Sequence, residues 1–296
     1  GKLRTWHLMR HLAKRHDITY LSFEEAGQRD EDRAGMREVC SRLETIPRTD
    51  AAKRTLAFYA GAARHVIDPL PYAVGKYRSA RYADSVRRLL REESFDAVVA
   101  DFLPPVVNLP ADLAIPSVLF THNVEAEIWR RHAENASNPL SRALMAQQWK
   151  RMLRFEGQAL ARFDLVLAVS EADGRTFDRL YPGALRRPVH VVHTGVDTAY
   201  FTPARGRERR RHLVFTGSMD WLPNEDGMLY FVREILPRIR QVEPDVTLSI
   251  VGRAPTPAVA RLAELPGIEV TGRVDDVRPH VAAGEVYVVP LRIGGG

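Results

Sequence analysis

The chain has 296 residues, 45% hydrophobic and 27% charged, enough apolar material for one large or two medium cores. That balance excludes a disordered tail protein and a collagen-like repeat. Its 43 basic against 37 acidic residues leave a net charge of +6, which fits nucleic acid, an anionic membrane, a phosphate-bearing ligand, or simply the arginine richness of GC-rich bacterial genes.

Short β-branched runs alternate with amphipathic stretches along the chain, the mark of parallel βαβ units. Residues 3–16 read as a helix, 17–23 as a strand and 24–37 as a charged loop. Helices are predicted at 49–64 and 77–93, and strands at 96–100 and, after Pro116, 117–121. Residues 140–163 form a long helical pattern with Leu144, Trp149, Met152, Leu160 and Phe163 along one broad side. Residues 165–169 and 189–192 are nearly continuous apolar strands, suited to a sheet covered on both faces.

The polar, aperiodic run at 204–211 reads as a linker, giving domains of 1–203 and 212–296. The second series predicts strands at 212–216, 246–251, 268–271 and 286–291, with helices at 225–240 and 257–265. Its first three strands end at Gly217, Gly252 and Gly272. Glycine at the carboxyl end of a parallel strand lets backbone or ligand approach closely, and open α/β sheets bind ligands at that edge. No crossover helix follows the last strand, and the first residue is not Met. The expectation is an internal piece of a longer protein.

Several residue groups could carry chemistry. The closing Arg292-Ile293-Gly294-Gly295-Gly296 presents unobstructed backbone N–H groups beside a cation, the means by which a loop cradles a diphosphate; a plain terminal tail reads equally well. Asn224, near a helix start after Gly217, either exposes donors at the positive end of the helix or simply caps it. Arg253 follows Gly252 and suits phosphate oxygens or a surface ion pair. His122 and Asn123 follow a buried strand; a histidine there either handles protons and phosphate or is a hydrogen-bonded structural residue. Asp275-Asp276 reads as a polar turn rather than a metal pair, and no histidine spacing fits a metal site. One cysteine, Cys40, excludes an internal disulfide and a cysteine-based zinc cluster, and fits a reducing compartment. No apolar run approaches the ~20 residues that cross a bilayer. A nucleic-acid partner has only charge in its favour, with no recognition motif, and none is expected.

Together the stretches 2–8, 121–125, 168–171, 194–197, 215–224, 270–279 and 289–296 resemble, in order, the family-four glycosyltransferases of the GT-B fold. More narrowly they look like the bacterial subgroup associated with exopolysaccharide synthesis and PEP-CTERM sorting. The resemblance implies an α/β architecture of two facing Rossmann-like domains with parallel sheets, the second incomplete. It implies retaining transfer from a nucleotide-sugar donor to a glycan or polyprenyl-linked acceptor, with no cofactor and no metal, in the cytoplasm. It places His122 near the donor sugar and its phosphate, and the diphosphate at Gly217, Asn224, Gly252, Arg253, Arg292, Gly294, Gly295 and Gly296. Arg4 and Asn123 fall on the acceptor side. The family's first strand and glycine loop would precede Gly1, and its E-x7-E segment would follow Gly296. Ser218 and Asn224 stand in the region where many relatives carry an Arg and a Lys. A basic face at Arg87, Arg88, Arg91, Lys150, Arg151 and Arg154 either meets anionic lipid, as peripheral association requires, or is a solvated helix face. An epimerase of the same fold and a non-catalytic sugar-nucleotide-binding module are the alternatives.

Overall fold

The computed structural model describes residues 2–25, 30–48, 68–136, 138–203 and 209–293. Two compact units divide the chain, Gly1–Gly195 and Val196–Gly294. The division falls before the 204–211 run, because residues 196–203 pack with the second unit: the Arg278 guanidinium lies 3.9 Å over the Tyr200 ring and donates to the Tyr200 carbonyl.

The first unit opens with helix α1 (Lys2–Leu12) and strand β1 (Thr19–Glu25). Of residues 24–37, expected to be a loop, 24–25 end β1 and 30–37 form helix α2 (Asp30–Arg37). Strand β2 (Arg42–Arg48) escapes sequence reading because Pro47 argues against a strand interior; it runs parallel to β1, its one strand partner among the described residues. The helix expected at 49–64 lies outside the described residues.

Helices α3 (Tyr72–Gly75) and α4 (Ala80–Glu92) follow, α4 started by the Ser79 hydroxyl accepting from Tyr82 N–H. Strands β3 (Val98–Asp101), β4 (Ser117–Phe120), β5 (Leu165–Ala168) and β6 (His190–Val191) pair in that order, all parallel. Between them lie α5 (Glu125–Glu134), α6 (Pro139–Leu160) and α7 (Glu171–Leu180). Asn138 caps α6 with Pro139 at its first position, and Ser170 caps α7. The core gathers Leu103, Leu119, Met152, Leu160, Phe163 and Phe177 between the sheet and these helices.

Among the described residues, β1 and β3 each have one side without a strand partner. A cavity of about 260 Å³ lies between them, lined by Thr19, Leu21, Val98 and Ala100 among others.

The second unit is a four-stranded parallel sheet of order β10-β7-β8-β9, made of β7 (His212–Thr216), β8 (Thr247–Val251), β9 (Ile268–Gly272) and β10 (Val286–Tyr287). The last strand is much shorter than the 286–291 expected. The helix expected at 225–240 starts earlier and is not uniform: α8 (Leu222–Tyr230) passes through a π-turn (Phe231–Ile235) into α9 (Leu236–Val242). Pro237 supplies the cause, since it has no N–H to return to the preceding turn. Helix α10 (Pro257–Ala260), a 3₁₀ turn (Arg261–Glu264) and α11 (Arg278–Ala283) complete the unit. Met228, Phe231, Leu248 and Ile250 centre its core.

Candidate active site

Register decides which side chains meet in the first unit. Asp101 at the end of β3 pairs with Phe120 at the end of β4, so the residues just past both strands share one carboxyl edge. There His122 Nε2 lies 2.8 Å from Asp101 Oδ1. The other carboxylate oxygen accepts from the Thr5 hydroxyl of α1. Arg4, one residue earlier, sets its guanidinium 4.0 Å over the Phe120 ring with Nη2 at 3.7 Å from Asp101 Oδ1. Arg4 Nε and Nη2 are buried without hydrogen bonds. Burial would raise the Asp101 carboxyl, but the hydrogen bonds from His122 and Thr5 and the charge of His122 and Arg4 outweigh it and hold its pKa below the ordinary range. Burial lowers the Arg4 pKa against the opposing Asp101 charge.

The residue after Asp101 is strained. Phe102 has φ of +134°, a region that costs a side-chain-bearing residue about 1–3 kcal/mol. Its ring centroid sits 5.5 Å from that of His122, and Phe120 lies 6.0 Å away on the same imidazole. The histidine is therefore held by a carboxylate and flanked by two rings. As an acceptor-only group on Nε2, the carboxylate fixes a proton there and leaves Nδ1 of the neutral ring as an acceptor.

Behind this edge lies a buried acid pair. Asn123 spends its side chain on a hydrogen bond to Glu125 rather than standing open, and Glu125 begins α5. Val124 cannot cap that helix, so Glu156 of α6 does so from inside, accepting from Glu125 N–H at 2.8 Å and Ala126 N–H at 3.1 Å. Tyr181 O–H donates to the same carboxylate at 2.5 Å. Burial pushes the Glu156 pKa up to about 8; the Tyr181 hydrogen bond opposes this and the Glu125 charge adds to it. Burial likewise raises Glu125 to about 7, against the pull of Asn123 and Lys76.

The second unit brings Gly217, Asn224, Gly252 and Arg253 together at its own carboxyl edge. Gly217 N–H donates to the Val251 carbonyl and Met219 N–H to the Arg253 carbonyl, both at 3.0 Å. A Cβ on Gly252, whose φ is +153°, would lie 1.7 Å from the Gly217 carbonyl oxygen, and one on Gly217 would lie 2.5 Å from Asn224 Nδ2. Close approach of two backbones thus requires glycine at 252, and the packed Asn224 side chain requires it at 217. Asn224 is buried, and its amide donates to the Ser218 carbonyl at 3.0 Å, so it braces the loop and does not present that group outward. Arg253 is exposed and makes no ion pair with a described residue. Arg292 departs from the expectation of an open cation: Asp226 on α8 takes its guanidinium through both Nε and Nη2, and Tyr230 lies 4.5 Å beneath it. Gly294, Gly295 and Gly296 lie outside the described residues. Trp221 is largely exposed, and buried Met219 fills the core instead.

Asp276 pairs with Arg278 in a polar turn, and no cluster of three metal-ligating side chains occurs among the described residues. Arg87 pairs with Asp84, and Arg88 with Glu44 and Glu92, which leaves that helix face largely charge-compensated. No helix among the described residues is long and apolar enough to cross a membrane.

Sequence reading missed Asp101, Thr5, Glu156 and Tyr181. Asp101 carried a usable signal, an acid ending an apolar strand just before Phe102-Leu103-Pro104-Pro105. Glu156 carried none beyond an acid on the apolar side of a long helix.

Residues 3–200 match the family described as Glycosyltransferase Family 4, and residues 210–296 match Glycosyl transferases group 1. No curated protein sequence is significantly similar to the chain. Among solved structures, α,α-trehalose 6-phosphate synthase from Burkholderia multivorans is 13% identical at TM-score 0.51, over 93% of this chain and 78% of that one. MurG from Acinetobacter baumannii is 14% identical (TM-score 0.41; 97% and 68% covered), and the glycosyltransferase SnogD from Streptomyces nogalater 17% identical (TM-score 0.42; 96% and 72%). The first of these likenesses is one of fold, and it agrees with an α/β chain of GT-B type built on parallel sheets. With two thirds of its length matched by one family, this chain belongs to Glycosyltransferase Family 4.

Proposed function

We propose that the protein moves a sugar from a nucleoside-diphosphate-sugar donor to a glycan or lipid-linked acceptor, with retention at the anomeric carbon and without a metal ion, in exopolysaccharide biosynthesis. The observation that carries this reading is the Asp101–His122 pair with Arg4 at the carboxyl edge of the first unit. In the transfer, the bond from the anomeric carbon to the donor phosphate oxygen breaks with its electron pair leaving on the phosphate. The acceptor hydroxyl oxygen forms the new bond, and its proton passes to the departing phosphate. The developing negative charge needs fixed donors, which are worth most where water is excluded. His122 serves the sugar and its phosphate, with Arg253 and the backbone at Gly217 and Gly252 as the diphosphate partners. Arg4 stays on the acceptor side.

The test supplies nucleoside-diphosphate sugars with lipid-linked and glycan acceptors, in the presence and absence of a chelator, and reads the product's anomeric configuration by NMR. Retained configuration, chelator resistance and a roughly hundredfold lower kcat in His122→Ala, with the fold retained by circular dichroism, are expected. Donor conversion that needs no acceptor, after hydrolysis is excluded, would replace this reading with an epimerase.

A further inference from the structure

Helix α6 carries an outward face that neither the core nor the transfer described above uses. Its buried residues, Met152, Glu156, Ala159 and Leu160, all lie in its second half, and no residue of 139–150 is buried. Leu140 is 71% exposed and Leu144 39%. At about 100° per residue, Leu140, Leu144, Lys150 and Arg154 fall within an arc of about 120° on one side of the helix, opposite the buried residues. The face therefore has two leucines in its first turns and cations further along. Glu156 is the one acid of this 22-residue helix, and it is buried. Lys150 and Arg154 are exposed and make no ion pair with a described residue. The basic face of α4 differs, because Asp84, Glu44 and Glu92 answer Arg87 and Arg88.

A face made only for water intersperses acids among its bases. This one has none, and it adds exposed leucine. A second copy seated on the same face supplies no carboxylate to it. A nucleic acid would satisfy the cations and leave the leucines in water. An anionic bilayer satisfies both, since leucine enters the boundary between headgroups and acyl chains while lysine and arginine lay their stems along apolar surface and reach the lipid phosphates. We infer that this face of α6 seats the protein on an anionic lipid bilayer, with Leu140 and Leu144 inserted and Lys150 and Arg154 on the phosphates. The inference goes beyond the transfer reading, and the binding needs neither donor nor acceptor.

Flotation of the 296-residue chain with vesicles of phosphatidylcholine, and of its equal mixture with phosphatidylglycerol, tests it. Binding to the anionic vesicles alone, falling as salt rises, is expected. Each cation near the surface is worth about fivefold in partitioning, so Lys150→Ala/Arg154→Ala should weaken binding about 25-fold. Leu140→Ser/Leu144→Ser should weaken it about tenfold or more and keep the salt dependence. Arg233→Ala/Arg238→Ala, an equal loss of charge at exposed positions of the second unit, should change it less than about twofold. The four α6 positions are exposed, so their variants should fold as the parent does by circular dichroism. Equal binding to neutral and anionic vesicles, no binding to either, or equal weakening by the α6 and second-unit cation variants overturns the inference. Anionic binding indifferent to the leucine variant would overturn it in favour of a polyanionic partner. A dimer that becomes monomeric in the leucine variant, without vesicle binding, would assign the face to a second copy. Failure of transfer to every acceptor would strike the transfer reading and leave vesicle binding as it was.

Discussion

His122 Nε2 and Asp101 Oδ1 stand 2.8 Å apart, on residues 21 positions distant in sequence, because β3 and β4 are parallel neighbours in register. The contact fixes the imidazole's orientation and tautomer. Replacement Asp101→Asn keeps the shape and removes the charge, and is expected to lower kcat about 10- to 100-fold with little change in KM for the donor. The pH dependence has a definite sign. The folded-state pKa of Asp101 is depressed, so its contribution to stability is present above the ordinary carboxylate pKa and is lost as pH falls through the lowered value. Acid melting curves should show the loss in the parent and not in Asp101→Asn.

Glu156 and Glu125 behave in the opposite way. Their folded-state pKa values, about 8 and about 7, lie above the ordinary glutamate value near 4.3. The folded state therefore binds more protons, and their contribution to stability is full below about pH 4 and is lost as pH rises through 7 to 8. Thermal unfolding followed by circular dichroism should show a declining midpoint between pH 5.5 and 8.5, with a flatter decline in Glu125→Gln. A midpoint that rises across this range in the parent would contradict the buried pair.

Removal of the Glu156 side chain strands two backbone N–H groups at the start of α5 and the Tyr181 hydroxyl, and opens a void in the core. Glu156→Ala is expected to cost about 3–5 kcal/mol in urea unfolding. Tyr181→Phe removes one donor and should cost about 1–2 kcal/mol.

Gly252 and Gly217 meet through their backbones, with no room for a methyl group between them. Gly252→Ala is expected to destabilise the second unit by several kcal/mol, through both the clash and the positive φ. Gly195→Ala, where an added Cβ meets nothing within 4 Å, should change stability by less than about 0.5 kcal/mol. Equal melting of the two variants would refute the close approach.

Arg253 and Arg292 should part company in donor binding. Arg292 is already held by Asp226, whereas Arg253 makes no ion pair with a described residue. Arg253→Ala is expected to raise the donor KM about tenfold or more, the worth of one charge-assisted contact. Arg292→Ala should raise it about threefold at most. The reverse order in steady-state kinetics would assign the diphosphate to Arg292.

The α/β class, the strands 212–216, 165–168 and 117–120 and the long helix ending at Leu160 are legible in the sequence because each is a local pattern: a short apolar run, or apolar residues repeating at helical spacing. His122 and Arg4 stand out in the sequence only as candidates, the first by its place after a strand and the second by family resemblance. The partner of both does not. Asp101 acquires its role only when β3 pairs with β4 and α1 lays Thr5 and Arg4 across the strand ends, contacts spanning up to 96 residues. Arg292 shows the converse: beside glycines it reads as an open cation, and the return of the chain onto α8 gives it to Asp226. Hydrophobic periodicity is written residue by residue, but a charge takes its meaning from its neighbour, and the packing of the folded chain chooses that neighbour.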